Sequence, residues 1–253
     1  MKNRPRMKSI ALLLATVLVC GVAALPAHAA TARWVEGTHY VVLEPTQPTT
    51  VPPGKVEVME VFSYACPFCN KFQPVIHALE HNLPPNAQMV FLPAAFSAAE
   101  DWPMFQRAYF AAQALGIADR TQQAMYDAVW KTGELATIDP ETRRPKSPLP
   151  SIEDAARFYA RLTGISPQKF LASAESFGVA MKMRQADEQI MAMQVPGTPC
   201  IIVGGKYRII IESLRTADDV ISLVRYLVAK ASAHQAESHP AAPPSAESPT
   251  SGS

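Results

Sequence analysis

The chain has 253 residues, with 23 Lys and Arg residues against 22 Asp and Glu residues, so its formal net charge is only +1. This near-balance gives no electrostatic basis for binding a nucleic acid or an anionic membrane. Four cysteines in a chain of this length are too few for a disulfide-stapled scaffold.

Residues 1–29 have the features of a secretory signal peptide. Four basic residues open the segment, residues 10–24 are apolar, and the AHA sequence at residues 27–29 fits a small-x-small cleavage site. Removing this segment takes away four positive charges, so the mature chain carries a net charge of about −3. Export also implies a compartment in which disulfides persist. The cysteines that remain are Cys66, Cys69 and Cys200.

The first part of the mature chain, residues 30–97, predicts a βαβ unit. Residues 34–43 fit an edge strand, and residues 55–62 become continuously apolar, as a central strand does. Residues 66–83 have a helical pattern that a pair of prolines ends, and residues 88–92 read as a short strand. This order predicts a βαβ unit with a parallel strand pair.

Residues 98–193 form a block in which every pattern is helical. Helices are expected at residues 101–115, 119–131, 151–163, 167 onward and 176–193, with a proline-rich loop before the third. No internal repeat is visible, so we expect one domain with a large helical insertion.

Strand patterns return in residues 194–232, where the order is ββα. The strands cover residues 198–203 and 206–211, and the intervening Gly204-Gly205 pair is typical of a hairpin turn. A last helix follows at about residues 217–230. From residue 233 to the end the chain is rich in Ala, Pro, Ser and Glu, a composition typical of a disordered tail.

The sequence Cys66-Pro67-Phe68-Cys69 directly follows the predicted central strand and opens the predicted helix. At this spacing both sulfurs lie on one helix face, close enough to bridge. Unpaired N–H groups and the helix dipole favour a thiolate at Cys66. Zinc sites also use CxxC, but the sequence has no second Cys/Cys or Cys/His pair at a suitable spacing. The motif therefore favours thiol–disulfide exchange.

Two segments, EVFSYACPFCNKF at residues 60–72 and VPGTPCIIVGGKY at residues 195–207, together with the helical insertion, resemble the DsbA family of periplasmic thiol–disulfide oxidoreductases. The resemblance covers roughly residues 40–230. It implies an α/β, thioredoxin-like fold with a large helical domain inserted between the βαβ and ββα halves. It also implies the periplasm of a Gram-negative bacterium and neither a metal nor an organic cofactor.

The resemblance implies roles for several residues. Cys66 would be the nucleophile that forms mixed disulfides, and Cys69 the buried resolving thiol. Pro199 matches the family's cis-proline, and Thr198 before it would offer backbone groups to the substrate peptide. The alternative for Pro199 is an ordinary trans proline at the first residue of a strand. Glu60 matches the family's buried proton relay, with a solvent-facing strand carboxylate as the alternative.

Two positions depart from the best-known members of the family. Phe68 stands where those members have a histidine, and a phenyl ring can neither donate a hydrogen bond nor carry charge to Cys66. We therefore expect a less depressed Cys66 pKa and a less oxidising redox couple than in those members, and an apolar surface that helps bind substrate. The second position is Thr198: in the wider superfamily, a threonine at this place is common in isomerases and reductases. Cys200 is either a small buried apolar residue or a third redox-active thiol.

The sequence thus predicts an exported oxidase that donates its Cys66–Cys69 disulfide to newly translocated, reduced proteins. By resemblance its reoxidant would be a DsbB-like, quinone-linked membrane protein. The alternatives are a periplasmic isomerase or reductase, and a non-catalytic, chaperone-like binder of unfolded chains. We expect a monomer, because the segment before the first strand is too short for the dimerisation domain of periplasmic isomerases.

Overall fold

A computed structural model of the protein describes residues 33–238, and five strands of this part form one mixed sheet. The strands are β1 (Tyr40–Val42), β2 (Val56–Phe62), β3 (Ala87–Pro93), β4 (Cys200–Val203) and β5 (Tyr207–Ile209). The sheet order is β1-β5-β4-β2-β3. β2 pairs in parallel with β3 and antiparallel with β4, and β1 lies at an edge beside β5. The predicted central and edge strands and the parallel pair are therefore confirmed.

Seven helices connect and cover the sheet in the described part of the chain. They are α1 (Pro67–Asn82), α2 (Trp102–Ala114), α3 (Ala118–Trp130), α4 (Ile152–Thr163), α5 (Pro167–Ala174), α6 (Phe177–Ala192) and α7 (Ala217–Ser238). Helices α2 to α6 all lie between β3 and β4 in sequence, as the helical insertion required. Serines begin three of these helices: the side chains of Ser151, Ser166 and Ser176 each accept a backbone N–H of the first turn.

Apolar side chains cover both faces of β2. Met59 and Val61 belong to one core cluster, which extends through the helical insertion, and Val56 and Val58 belong to a second, formed with α1 and α7. All seven residues of β2 are buried as a result. The strand leads directly into the turn before α1, so its end and the start of α1 are held between the sheet and the insertion.

The ends of the chain differ from the sequence-based expectation in one respect. Helix α7 continues to Ser238 instead of ending near residue 230, so residues 233–238, expected in the tail, are helical. Ala231 is buried against the second core, and the residues that follow include good helix formers that extend the last turns. The predicted signal peptide and the rest of the predicted tail lie outside the described residues. Within residues 33–238, no helix is both long and apolar enough to cross a membrane.

Candidate active site

The start of α1 places Cys66 at a helix N-cap. Cys66 has an extended backbone, Pro67 is the first helical residue, and the Cys66 Sγ accepts the backbone N–H of Cys69 at 3.4 Å. Proline suits this position because its missing N–H is one that the helix leaves unpaired anyway. The Cys66 thiol also donates to the Thr198 carbonyl oxygen at 3.4 Å, which joins the helix start to the turn before β4.

The surroundings of Cys66 stabilise its thiolate. A hydrogen bond from the Cys69 thiol, aided by the side chain of Thr198 and by the backbone N–H groups of Cys69 and Phe68, lowers the Cys66 pKa from 9.0 to about 6. Burial opposes this shift but does not cancel it. Cys66 is therefore mostly ionised at neutral pH when it is reduced.

Cys69 has the opposite environment. Its side chain is fully buried, and burial raises its pKa, as do the hydrogen bond to Cys66 and the negative charge of Glu60. Both thiols are free in this structure. The pair is thus asymmetric: one sulfur is a stable thiolate, and its neighbour holds its proton firmly.

Glu60 lies in β2, buried near this pair. Neither of its carboxylate oxygens has a hydrogen-bond partner within the described part of the chain, and the side chain is fully buried. Burial raises the Glu60 pKa well above its ordinary value of 4.5, and the charges of Glu80 and Cys66 raise it further. The solvent-facing alternative for Glu60 is therefore wrong, because both faces of β2 are covered.

The turn before β4 provides the other side of the site. The Thr198–Pro199 peptide bond is cis, in agreement with the expectation from the resemblance. Phe68 is 67% exposed and lines a groove of about 620 Å³ together with Thr198 and Pro199. Cys200 also borders this groove, but it is buried in β4, and burial raises its pKa to about 12. Its environment is that of a buried apolar residue.

Sequence reasoning did not find how the helical insertion holds the segment before Cys66. The Tyr64 hydroxyl donates to Gln122 Oε1 at 2.5 Å, and the Tyr64 carbonyl oxygen accepts the Trp130 Nε1–H at 2.7 Å. Gln122 and Trp130 both belong to α3. Nothing in the local sequence signals these contacts, because each joins residues about 60 positions apart.

No family model matches the chain. The thiol:disulfide interchange protein DsbA of Pseudomonas aeruginosa is 32% identical over 197 residues, which cover 78% of this chain and 85% of that protein. The DsbA of Azotobacter vinelandii is also 32% identical, over 193 residues that cover 76% of this chain and 82% of the relative.

Solved structures give a consistent result. The crystal structure of Pseudomonas aeruginosa DsbA matches with a TM-score of 0.65 and 30% identity, covering 79% of this chain and 96% of that one. The oxidoreductase DsbA from Xylella fastidiosa matches with a TM-score of 0.66 and 28% identity, covering 77% of this chain and 96% of that one. The two matches support a thioredoxin-like fold with a helical insertion.

Proposed function

Because the chain belongs to the DsbA family of thiol:disulfide interchange proteins, we propose that Cys66 and Cys69 form its redox-active disulfide and that substrates attack Cys66. Membership makes the chain a thiol:disulfide oxidoreductase. The observation that carries the assignment of the two cysteines is their opposite environment, with a lowered pKa at Cys66 and a raised pKa at the buried Cys69.

The first half of the reaction breaks the enzyme's disulfide. A substrate thiolate attacks Cys66 Sγ, a substrate–Cys66 disulfide forms, and the Cys69 sulfur leaves with the electron pair of the broken bond. This sulfur is poorly stable as a thiolate, mainly because it is buried. Glu60, whose pKa burial raises well above its ordinary value, supplies the proton.

The second half releases the oxidised substrate. A second substrate thiolate attacks the substrate sulfur of the mixed disulfide, so that a disulfide forms in the substrate and Cys66 leaves as a thiolate. With a pKa of about 6, Cys66 is a good leaving group that needs no proton at neutral pH. The stability of this thiolate favours reduced enzyme and oxidised substrate.

Substrate binding is proposed for the groove beside the cysteines. Thr198 contacts Cys66 through its carbonyl oxygen, so its backbone is well placed to pair with an extended substrate segment next to the reacting sulfur. Phe68 adds an exposed ring for apolar substrate side chains. Pro199 fixes the turn between Thr198 and the buried strand β4.

We further propose that the substrates are reduced proteins newly exported to the periplasm of a Gram-negative bacterium, and that a DsbB-type membrane protein reoxidises the enzyme. Each turnover leaves two electrons on the Cys66–Cys69 pair, so an external oxidant is required for a second turnover. The predicted signal peptide and the family support this location.

Three cysteine variants test the assignment. Cys66→Ser is expected to abolish oxidation of a reduced, unfolded protein, and Cys69→Ser to accumulate a mixed disulfide at Cys66 that mass spectrometry identifies. Cys200→Ser, the matched control, should oxidise the substrate at the wild-type rate. Full activity of Cys66→Ser would contradict the proposal. Alkylation in cells should find the wild-type pair mostly oxidised, whereas a mostly reduced pair would identify an isomerase or reductase.

A further inference from the structure

Arg208 occupies the middle of β5 and borders the proposed substrate groove. Its neighbours in the sheet are Val41 of β1 and Ile202 of β4. Thr198, Pro199 and Phe68 line the same groove. Arg208 therefore borders the same groove as the residues of the proposed active site.

Part of the Arg208 guanidinium is unpaired within residues 33–238. Its Nε atom is buried and has no hydrogen-bond acceptor there. By contrast, Lys230, which lies over the Tyr207 ring on the opposite face of β5, donates to the Tyr40 hydroxyl at 2.8 Å. A buried donor left unpaired costs free energy that a ligand carrying an acceptor would recover.

The charges around the groove favour an anionic acceptor. Lys71 and Arg208 are its cations, and the exposed Glu212 at its border is its single acid. Apolar side chains such as Phe72 and Ile210 form much of the remaining lining. A carboxylate is the group whose two oxygens match the two parallel N–H donors of a guanidinium.

The position of Arg208 along β5, relative to Thr198, determines which substrate residue its side chain can contact. Arg208 pairs with Ile202, four positions beyond Thr198, whose carbonyl oxygen contacts Cys66. An extended segment advances about 3.3 Å per residue. Because the Arg208 side chain can also extend towards Thr198, we expect it to contact substrate residues within about four positions of the reacting cysteine.

We propose that Arg208 binds the carboxylate of an Asp or Glu close to the reacting cysteine of the substrate, and so makes the enzyme selective for acidic segments. The proposal rests on the proposed function, since it assumes that substrates bind in this groove. Arg208 acts in this step by binding alone and takes no part in the electron transfer. Its effect belongs in KM, and kcat should be unchanged.

The test uses the full mature enzyme and dithiol peptides that differ at one position, with Asp, Asn or Lys placed in turn at each of four positions on either side of the reacting cysteine. At the favoured position we expect a KM for the Asp peptide about tenfold below that for the Asn peptide. This is the difference in affinity expected from one charge-assisted hydrogen bond. Arg208→Gln should remove this preference, Arg208→Glu should reverse it towards Lys, and Arg208→Lys should restore it in part.

Arg144→Glu is the charge-matched control, because Arg144 is exposed in the helical insertion and away from the groove. It should keep the wild-type preference. Equal oxidation of all peptides by the wild type, or an unchanged preference in a folded Arg208→Gln, would overturn the proposal and leave the proposed function standing. If the wild type oxidises none of the peptides nor a reduced protein, the proposed function itself fails. Thermal unfolding of each variant establishes that it is folded.

Discussion

Each end of β2 has a buried glutamate, and the two carboxyl groups differ in their hydrogen bonding. Near the start of the strand, Glu57 is 1% exposed, and its Oε2 accepts both the backbone N–H and the hydroxyl of Thr50 at 2.7 Å. Three residues later, Glu60 is fully buried and neither of its oxygens accepts a hydrogen bond from the described residues. The side chains project to opposite faces of the sheet, since their spacing is odd.

This difference in hydrogen bonding suits Glu57 to a structural role and Glu60 to the proposed proton transfer. The two hydrogen bonds that Glu57 accepts from Thr50 let it anchor the loop that carries Thr50. Glu60, an unpartnered buried carboxyl with a raised pKa, is suited to the proton transfer that we propose for the leaving Cys69 sulfur. At the end of β2 next to the cysteines, an unpaired buried carboxyl therefore lowers the stability of the fold but provides a group that can transfer a proton.

The largest expected effect is on catalysis at the Glu60 end. Glu60→Gln removes the proton donor for Cys69 and should slow oxidation of a reduced protein about a hundredfold near neutral pH. Stopped-flow measurement of the loss of the enzyme disulfide would give the rate. Glu57→Gln, the matched control on the same strand, should leave the rate unchanged. Equal rates for Glu60→Gln and the wild type would remove the relay role.

Stability should change in opposite directions at the two ends. Glu57→Leu leaves the Thr50 donors unpaired and should lower the free energy of unfolding by about 1–3 kcal/mol. Glu60→Leu replaces an unpaired buried carboxyl with an apolar group and should raise it by about 1–3 kcal/mol. Urea denaturation of the oxidised proteins measures both. A loss of stability in Glu60→Leu would mean that Glu60 has a partner in solution.

The pH dependence of stability provides a sharper form of the same comparison. Since the Glu60 pKa is raised in the folded protein, the folded state binds more protons than the unfolded state once the pH passes 4.5. Stability from this group is complete below that pH and is lost as the pH rises through the folded pKa. Glu60→Gln should therefore become progressively more stable than the wild type as the pH is raised. The oxidised form should be compared, because Cys66 and Cys69 are then joined in a disulfide and do not titrate.

Much of this arrangement could be predicted from the sequence because it is encoded locally. The CxxC motif, the apolar run of β2 and the serines that cap the insertion helices each act within a few residues. The fate of the strand glutamates is not local. Glu57 and Glu60 have the same residue type on the same strand, and only contacts from distant segments give one a hydrogen-bonding loop and deny partners to the other.

The same reason explains the contacts that sequence reasoning missed. Tyr64 and Trp130 lie 66 residues apart, and their hydrogen bond exists only because α3 packs against the turn before α1. Helix α7 ran longer than predicted because the buried Ala231 continues its packing face. Long-range packing thus decided the details, whereas periodicity and motifs decided the architecture.

A smaller effect is expected from changing the position between the cysteines. Phe68 brings no hydrogen-bond donor through its side chain, so Cys66 depends on Cys69, Thr198 and backbone N–H groups. In Phe68→His a protonated ring should lower the Cys66 pKa below 6 and raise the reduction potential by on the order of 30 mV. Equilibration with glutathione measures the potential. A Phe68→His variant no more oxidising than the wild type would show that the backbone already stabilises the thiolate fully.

The smallest effect should come from the contact that holds the cysteine end of β2 to the helical insertion. Trp130→Phe keeps most of the ring but removes the donor to the Tyr64 carbonyl oxygen, which should cost about 1 kcal/mol of stability. The bond from Tyr64 to Gln122 remains, so the turn should stay close to its position and the Cys66 pKa should rise only slightly. The ultraviolet absorbance of the thiolate follows that pKa. If stability falls while the pKa is unchanged, the contact serves packing alone; if both change, α3 helps to position Cys66, and the insertion contributes to the chemistry as well as to the fold.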